Sequence, residues 1–399
     1  MARQDWIGKR VARWRDIGGM TQVQLADRVG VTGAHISMIE RGKKPLTKRS
    51  LLIGLASALG VRVEDLTEQP HRPRTRVELA VYGTAPALRR ALDDDIEGPA
   101  PDLADVAARV DRAMRARMAC DYATMAALLP DVVMQSRHLT MEPATQRQGL
   151  ALLVRATFTG AVALKSMGHV DLSMRLAERS EVAAAAYEEP AERAAAAFAL
   201  AQVALTGGSQ RRSLSVAARA ADELGDVADG DDAAWYGMLR LHAALAAASL
   251  SHSDDAAGHL SEAVAAVPRA AGADGWRMEF SAANVAVWRV AVALENGEPE
   301  RAPEYARRVD RSQLRTASRR ARLHIDAGRG YYITDRQDRA VTQFLAADDI
   351  SAQELRSRPS VRELVGQMVR DARRNGSDDL RELAVRLGID PLDPDHDQT

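Results

Sequence analysis

The chain has 399 residues, of which 46% are hydrophobic, 27% charged and only 4% aromatic. That balance supplies both a core and a wettable surface. It excludes collagen-like, low-complexity and disulfide-scaffold chains, and its abundant alanine favours helices.

The net charge of −1 conceals a division, because residues 1–75 hold 14 Lys or Arg against 7 Asp or Glu and the remainder holds 40 against 48. Four of the five lysines, Lys9, Lys43, Lys44 and Lys48, lie in the basic segment. Such a head suits nucleic-acid phosphates as well as a plain solvated face, so the motif has to decide. The single cysteine, Cys120, leaves no intrachain disulfide and fits a reducing compartment. Met1-Ala-Arg-Gln-Asp-Trp6 lacks the apolar core of a signal peptide, and polar residues interrupt each candidate membrane span. The expectation is a cytoplasmic protein with no membrane partner.

In chain order, Trp6, Val11, Trp14 and Ile17 share one side of a first helix that Gly18-Gly19 ends. Thr21 is a good N-cap for Gln22 to Val29, with Leu25, Ala26 and Val29 inward, and Gly30 closes that helix in the left-handed region. Thr32 caps Gly33 to Arg41, with Ile36 and Ile39 inward. Gly42 then ends that helix, Pro45 turns the chain, and Ser50 to Leu59 forms a fourth helix closed by Gly60. Two short helices joined by a glycine turn, within a bundle of four or five, describe a helix-turn-helix.

Thr21-Gln-Val-Gln-Leu-Ala-Asp-Arg-Val-Gly30 and Val31-Thr-Gly-Ala-His-Ile-Ser-Met-Ile-Glu-Arg-Gly42 closely resemble the lambda-repressor/Cro-like (XRE) family over about residues 6–68. The resemblance implies DNA binding, with Gln22 on a phosphate and the second helix of the motif in the major groove. Its outward positions would be Thr32, Gly33, Ala34, His35, Ser37 and Met38, followed by Arg41, Lys43, Lys44 and Lys48 on phosphates. Gly33 and Ala34 stand where relatives often carry glutamines. Base reading would therefore fall on His35, Ser37 and Met38, with methyl contacts from Ala34 or Thr32 and more reliance on DNA shape. Arg15 and Glu40 match a structural ion pair of the family.

Thr67 to Arg76 reads as a linker, and Asp93 to Pro101 as a second break after one short helical segment. From Asp102 onward helical periods are interrupted near Gly168, Gly207, His252, Asn296 and Thr334, a spacing of about 40 residues that suits helical-hairpin repeats. This resembles a degenerate tetratricopeptide (TPR) array. With Phe280 to Gly297 and Arg358 to Val365, the whole chain resembles actinobacterial regulators that join an XRE head to a TPR-like body, and more distantly peptide-pheromone-responsive regulators of Gram-positive bacteria. The expected organisation is all-α: a five-helix head over 1–68, a linker with a short helix over 69–101, a TPR-like domain for ligand binding and dimerisation over 102–390, and a loose tail over 391–399.

In TPR register a groove-facing row would include Arg155, Phe158, Gln202, His242, Asn284, Arg322 and Arg329. Such a row suits a peptide backbone or an anionic group, although arginines on helices also commonly pair with neighbouring acids. Trp235, Trp276 and Trp288, and Met114, Met118 and Met125, read as packing. No phosphate loop, dinucleotide fingerprint or nucleophile elbow occurs, and Ser251-His252-Ser253-Asp254-Asp255 lies in a turn that cannot adopt triad geometry. The reading is a non-enzymatic, ligand-responsive regulator, with no cofactor or metal, that binds double-stranded DNA as a homodimer. The alternative is a scaffold whose solenoid recruits a protein partner while the head only localises it.

Overall fold

The computed structural model describes residues 6–389 except 72, 74, 226–228, 274, 275, 277 and 373–375, so the expected tail over 391–399 lies outside the described residues. All regular elements among the described residues are helices, as the composition predicts. Five form the head: α1 (Ile7–Ile17), α2 (Gln22–Val29), α3 (Gly33–Glu40), α4 (Arg49–Leu59) and α5 (Val63–Thr67). Val11, Leu25, Ile36, Leu55 and Leu66 are wholly shielded at their centre, each worth roughly 1.5–3 kcal/mol of burial. Gly8 lets α1 touch the end of α3 backbone to backbone, since a Cβ there would stand 1.9 Å from the Ile39 carbonyl oxygen.

The helical segment expected after the head is present and packs into a core. Helix α6 (Arg76–Asp93) buries Val81, Ala85, Leu88 and Leu92, an i, i+4, i+7, i+11 stripe, in the core beside the helix Tyr122–Leu139. Its Thr84 hydroxyl donates to the Ala126 carbonyl at 3.2 Å. Helical hairpins follow, pairing α7 (Leu103–Met118) with α8 (Tyr122–Leu139), α9 (Gln146–Leu164) with α10 (Val170–Tyr187), and α11 (Pro190–Thr206) with α12 (Gln210–Leu224). Next come α13 (Gly230–Ser249) with α14 (Ser253–Ala266), α15 (Ala282–Glu295) with α16 (Arg301–Arg308), and α17 (Ala317–Ile333) with α18 (Gln337–Arg356).

One turn joins the helices of every hairpin. The amides of Asp121, His169, Ser209, His252, Glu298 and Arg336 donate to the carbonyls of Ala116, Leu164, Ala204, Ala247, Ala293 and Tyr331, five residues back, at 2.8–3.1 Å. The residue before each donor has positive φ: Cys120, Gly168, Gly208, Ser251, Gly297 and Asp335. This is the six-to-one bond that closes a helix through a left-handed residue. Five of these turns coincide with the breaks read from the sequence. The sixth has a half-buried cysteine, Cys120, in the left-handed position and no glycine or run of polar residues beside it to mark a break.

Ala, Val, Leu and Phe on all sides of α9 make Gln146–Met167 long and apolar enough to cross a membrane, contrary to the expectation that no run would be. More than half of its most apolar window is buried in the protein, with Val154, Phe158 and Ala161 at 0% exposure, which is the pattern of a central core helix.

Two compact units result. One comprises 70–288 and 310–319 and contains α6 to α14. The other joins the head, 1–69, to 289–309 and 320–399, which include α18, α19 (Pro359–Ala372) and α20 (Asp378–Leu387) around Phe344, Leu355, Leu364, Met368 and Leu383. Within it the Ile7 amide donates to Glu363 at 3.2 Å, Gln69 donates to the Ser357 carbonyl at 3.2 Å, and the Arg370 guanidinium lies 5.0 Å from the Trp6 ring centroid. The head, 1–69, thus groups with C-terminal helices in one compact unit.

Candidate nucleic-acid interface

The two motif helices are held by their own caps. Thr21 Oγ1 accepts from the Gln24 amide at 3.1 Å while Gln24 Oε1 accepts from the Thr21 amide at 2.8 Å, a reciprocal capping box. Gly30 closes α2 at φ 70°, ψ 34°, and Thr32 Oγ1 then accepts from the His35 amide at 3.2 Å to start α3. Leu25, Ala26, Ile36 and Ile39 fix the angle between the helices from below.

The open face carries the first turn of α3. Thr32 and Ala34 are exposed, and Gly33, His35, Ser37 and Met38 are half-buried. The Thr32 hydroxyl is already committed to the cap, so Ala34 offers the most open surface in this turn. Burial, reinforced by the charge of Lys44, lowers the His35 pKa and favours a neutral imidazole. Arg41, Lys43 and Lys44 follow in the open, Arg41 with its Nε on the Ser37 carbonyl at 3.2 Å. Lys48 is also exposed but passes beside Gly297, where an added Cβ would lie 2.8 Å from its Nζ.

Gln22, expected on a phosphate, is half-buried at the start of α2. Its Nε2 donates to Glu40 Oε2 at 2.7 Å, and Glu40 also accepts from Arg15 Nε at 2.6 Å and Nη2 at 2.9 Å. The buried carboxylate needs several donors, and the nearby amide supplies one. The Arg15–Glu40 pair is present as architecture, and Glu40 raises the Arg15 pKa.

The expected ligand row divides between the two units. Arg155, Phe158, Gln202, His242 and Asn284 belong to one, and Arg322 and Arg329 to the other. Phe158 is fully buried and packs edge-on against Trp235 and Trp276, with centroids 5.7 and 5.4 Å away. Asn284 is also fully buried, its Nδ2 donating to the Glu279 carbonyl at 2.9 Å. His242 sits 2.9 Å from Ser213 Oγ between Phe198 and Trp288. These three residues are packing groups, not the walls of an open groove; periodicity marked their helix faces but could not show which neighbouring helix covers them. Arg155 is half-buried over Trp276 and 3.7 Å from Glu192, and Gln202 is half-buried. Arg322 and Arg329 both hold the buried Asp326.

Among solved structures the chain is similar to Bacillus thuringiensis PlcR in complex with the peptide PapR7 and DNA, at 12% identity over 88% of this chain and 96% of that one, with a TM-score of 0.30. It is also similar to ComR from S. thermophilus in complex with DNA and its signalling peptide ComS, at 12% identity over 91% and 98%, with a TM-score of 0.22. No curated protein matches the sequence. Residues 6–69 match the family model described as a helix-turn-helix domain, and the two capped helices joined at Gly30 are the two helices of that motif.

Proposed function

We propose that the protein is a cytoplasmic, sequence-specific transcription regulator that binds paired half-sites as a homodimer and whose helical array senses a peptide or small molecule. The observation that carries the DNA-binding reading is the open first turn of α3 beside exposed Arg41, Lys43, Lys44 and Lys48. An α-helix fits the major groove, and cations flanking it neutralise phosphates on either side. Ala34 supplies a methyl surface for thymine, His35, Ser37 and Met38 stand behind it, and Gly33 allows close backbone approach. With so few side-chain donors, recognition rests heavily on DNA shape and half-site spacing. Dimerisation is part of the reading because one head of this size offers little interface. Sensing is supported by the array of hairpins, which places arginines on aromatic rings, Arg155 over Trp276 and Arg319 over Trp288.

The test is capture of source-genome fragments by the purified full-length protein at fixed salt, with and without low-molecular-mass culture extract. A few enriched sites that change with extract fit a ligand-responsive regulator. Enrichment indifferent to extract removes the sensing part and turns attention to a protein partner. No enrichment in either condition overturns the DNA-binding reading.

A further inference from the structure

At the start of α4, residues of the head stand among charged residues of helices from the same compact unit. Asp326, fully buried, accepts from Arg322 Nε at 2.5 Å and from Arg329 Nη1 at 3.1 Å. Arg329 also donates to the Thr47 carbonyl at 3.1 Å and lies 3.5 Å from Glu295 Oε1, while Arg358 pairs with Glu354 at 2.5 Å. Three carboxylates are thereby matched to three guanidiniums. A fourth guanidinium, Arg49, stands near Arg322, Arg329 and Arg358 and makes no hydrogen bond or ion pair with a described residue. Burial, with the fields of these three arginines, pulls Arg49 down to about 10, so it stays charged at neutral pH.

Three further features surround this surplus charge. Arg49 is the first residue of α4, whose N-cap Lys48 gives no side-chain cap, so the positive end of the helix is open. Lys48 adds its ammonium beside Gly297. Glu295, the carboxylate whose field favours Arg49, has its Oε2 buried without a partner. A half-buried surplus cation and an orphaned buried acceptor both lack a matching partner, and one ligand that accepts and donates relieves both. Solvent reaches the cluster, since Arg322 and Arg358 keep 19% and 20% of their side-chain surface and Arg49 is only half-buried.

We infer that Arg49, the open N-terminus of α4 and Glu295 form a binding site for a phosphate that retains a proton, as in inorganic hydrogen phosphate or a phosphate monoester. The oxygens accept from Arg49 and the α4 amides, and the P–OH donates to Glu295. A phosphodiester of a DNA backbone and a sulfate ion both lack that proton, so neither fits. The site is independent of whether the head binds DNA.

The test is thermal unfolding of the full-length protein in inorganic phosphate against sulfate at matched pH and ionic strength, with phosphorus NMR line broadening as a second readout. The expected result is a saturable Tm rise of about 2–4 °C in phosphate and less than half of that in sulfate. Arg49→Leu and Arg49→Gln should each abolish the rise; if neither folds, the phosphate-against-sulfate comparison on the unsubstituted chain decides. An equal response to sulfate, no saturable response, or a rise that persists in a folded Arg49 variant overturns the assignment. So does a fall of about one in the salt slope of duplex binding caused by Arg49→Leu, because the site would then serve a phosphodiester.

Discussion

Removing the Glu40 carboxylate tests what holds the recognition helix in place. Glu40 is 8% exposed and accepts three hydrogen bonds, two from Arg15 and one from Gln22. Glu40→Ala strands the Arg15 guanidinium, whose side chain is only 13% exposed, and leaves the Gln22 amide unpaired. Breaking a buried pair costs about 3–5 kcal/mol. Arg15 keeps the exposed carboxylate of Asp16 at 2.7 Å and the Met20 carbonyl at 2.9 Å, which places the loss near the lower end, about 3 kcal/mol. Native-state hydrogen exchange on the full-length protein is the assay, since it reads α2 and α3 locally in a chain with more than one compact unit. The Leu25 and Ile36 amides should exchange on the order of 100-fold faster, and the loss should be nearly independent of salt because the pair is buried. The double variant Arg15→Met, Glu40→Leu should recover part of the protection, since an apolar pair needs no compensation. Exchange within twofold of the parent in Glu40→Ala would refute the reasoning.

The remaining predictions concern other parts of the chain. Gly8→Ala places a Cβ 1.9 Å from the Ile39 carbonyl oxygen, so it should destabilise the head by about 1–3 kcal/mol and weaken DNA binding; normal exchange protection in α1 and α3 would argue against that close approach. Ser251→Gly relieves a φ of 63° in the α13–α14 turn and should stabilise the protein by about 0.5–1 kcal/mol, measured as a higher denaturation midpoint. His169 has a lowered pKa, chiefly through burial and then through Arg89, so its contribution is complete above about pH 6.5 and is lost as pH falls through the depressed folded value. His169→Asn should flatten the fall of the stability profile below about pH 6.5, and an unchanged slope would show that other groups set it. Arg41→Ala, Lys43→Ala and Lys44→Ala together should weaken binding to all duplexes and lower the salt slope by about 0.9 for each phosphate no longer neutralised, whereas His35→Ala or Met38→Ala should change which sequences bind best.

Much of the head is legible from the sequence because its signals act over a few residues. Thr21 and Thr32 cap the helices that follow them, Gly30 and Gly60 close the helices before them, and Leu25, Ile36 and Ile39 recur at helical spacing. The hairpin turns at Gly168, Gly208 and Gly297 are visible for the same reason, and those at Ser251 and Asp335 through the polar residues around them. The identical turn at Cys120 has neither a glycine nor a polar run to mark it. Pairing between distant segments is a different matter. Gln22 donates to Glu40 because a carboxylate buried 18 residues away needs donors, and Phe158 and Asn284 disappear into the core because neighbouring helices cover their faces. Helix α6 is legible as a helical segment, but that its apolar stripe joins the core beside α8 is not. Local backbone rules could be read residue by residue; which surfaces meet, and hence where Arg49, Arg329 and Glu363 find themselves, was decided only by the tertiary packing, because desolvation and charge pairing depend on neighbours that sequence distance does not reveal.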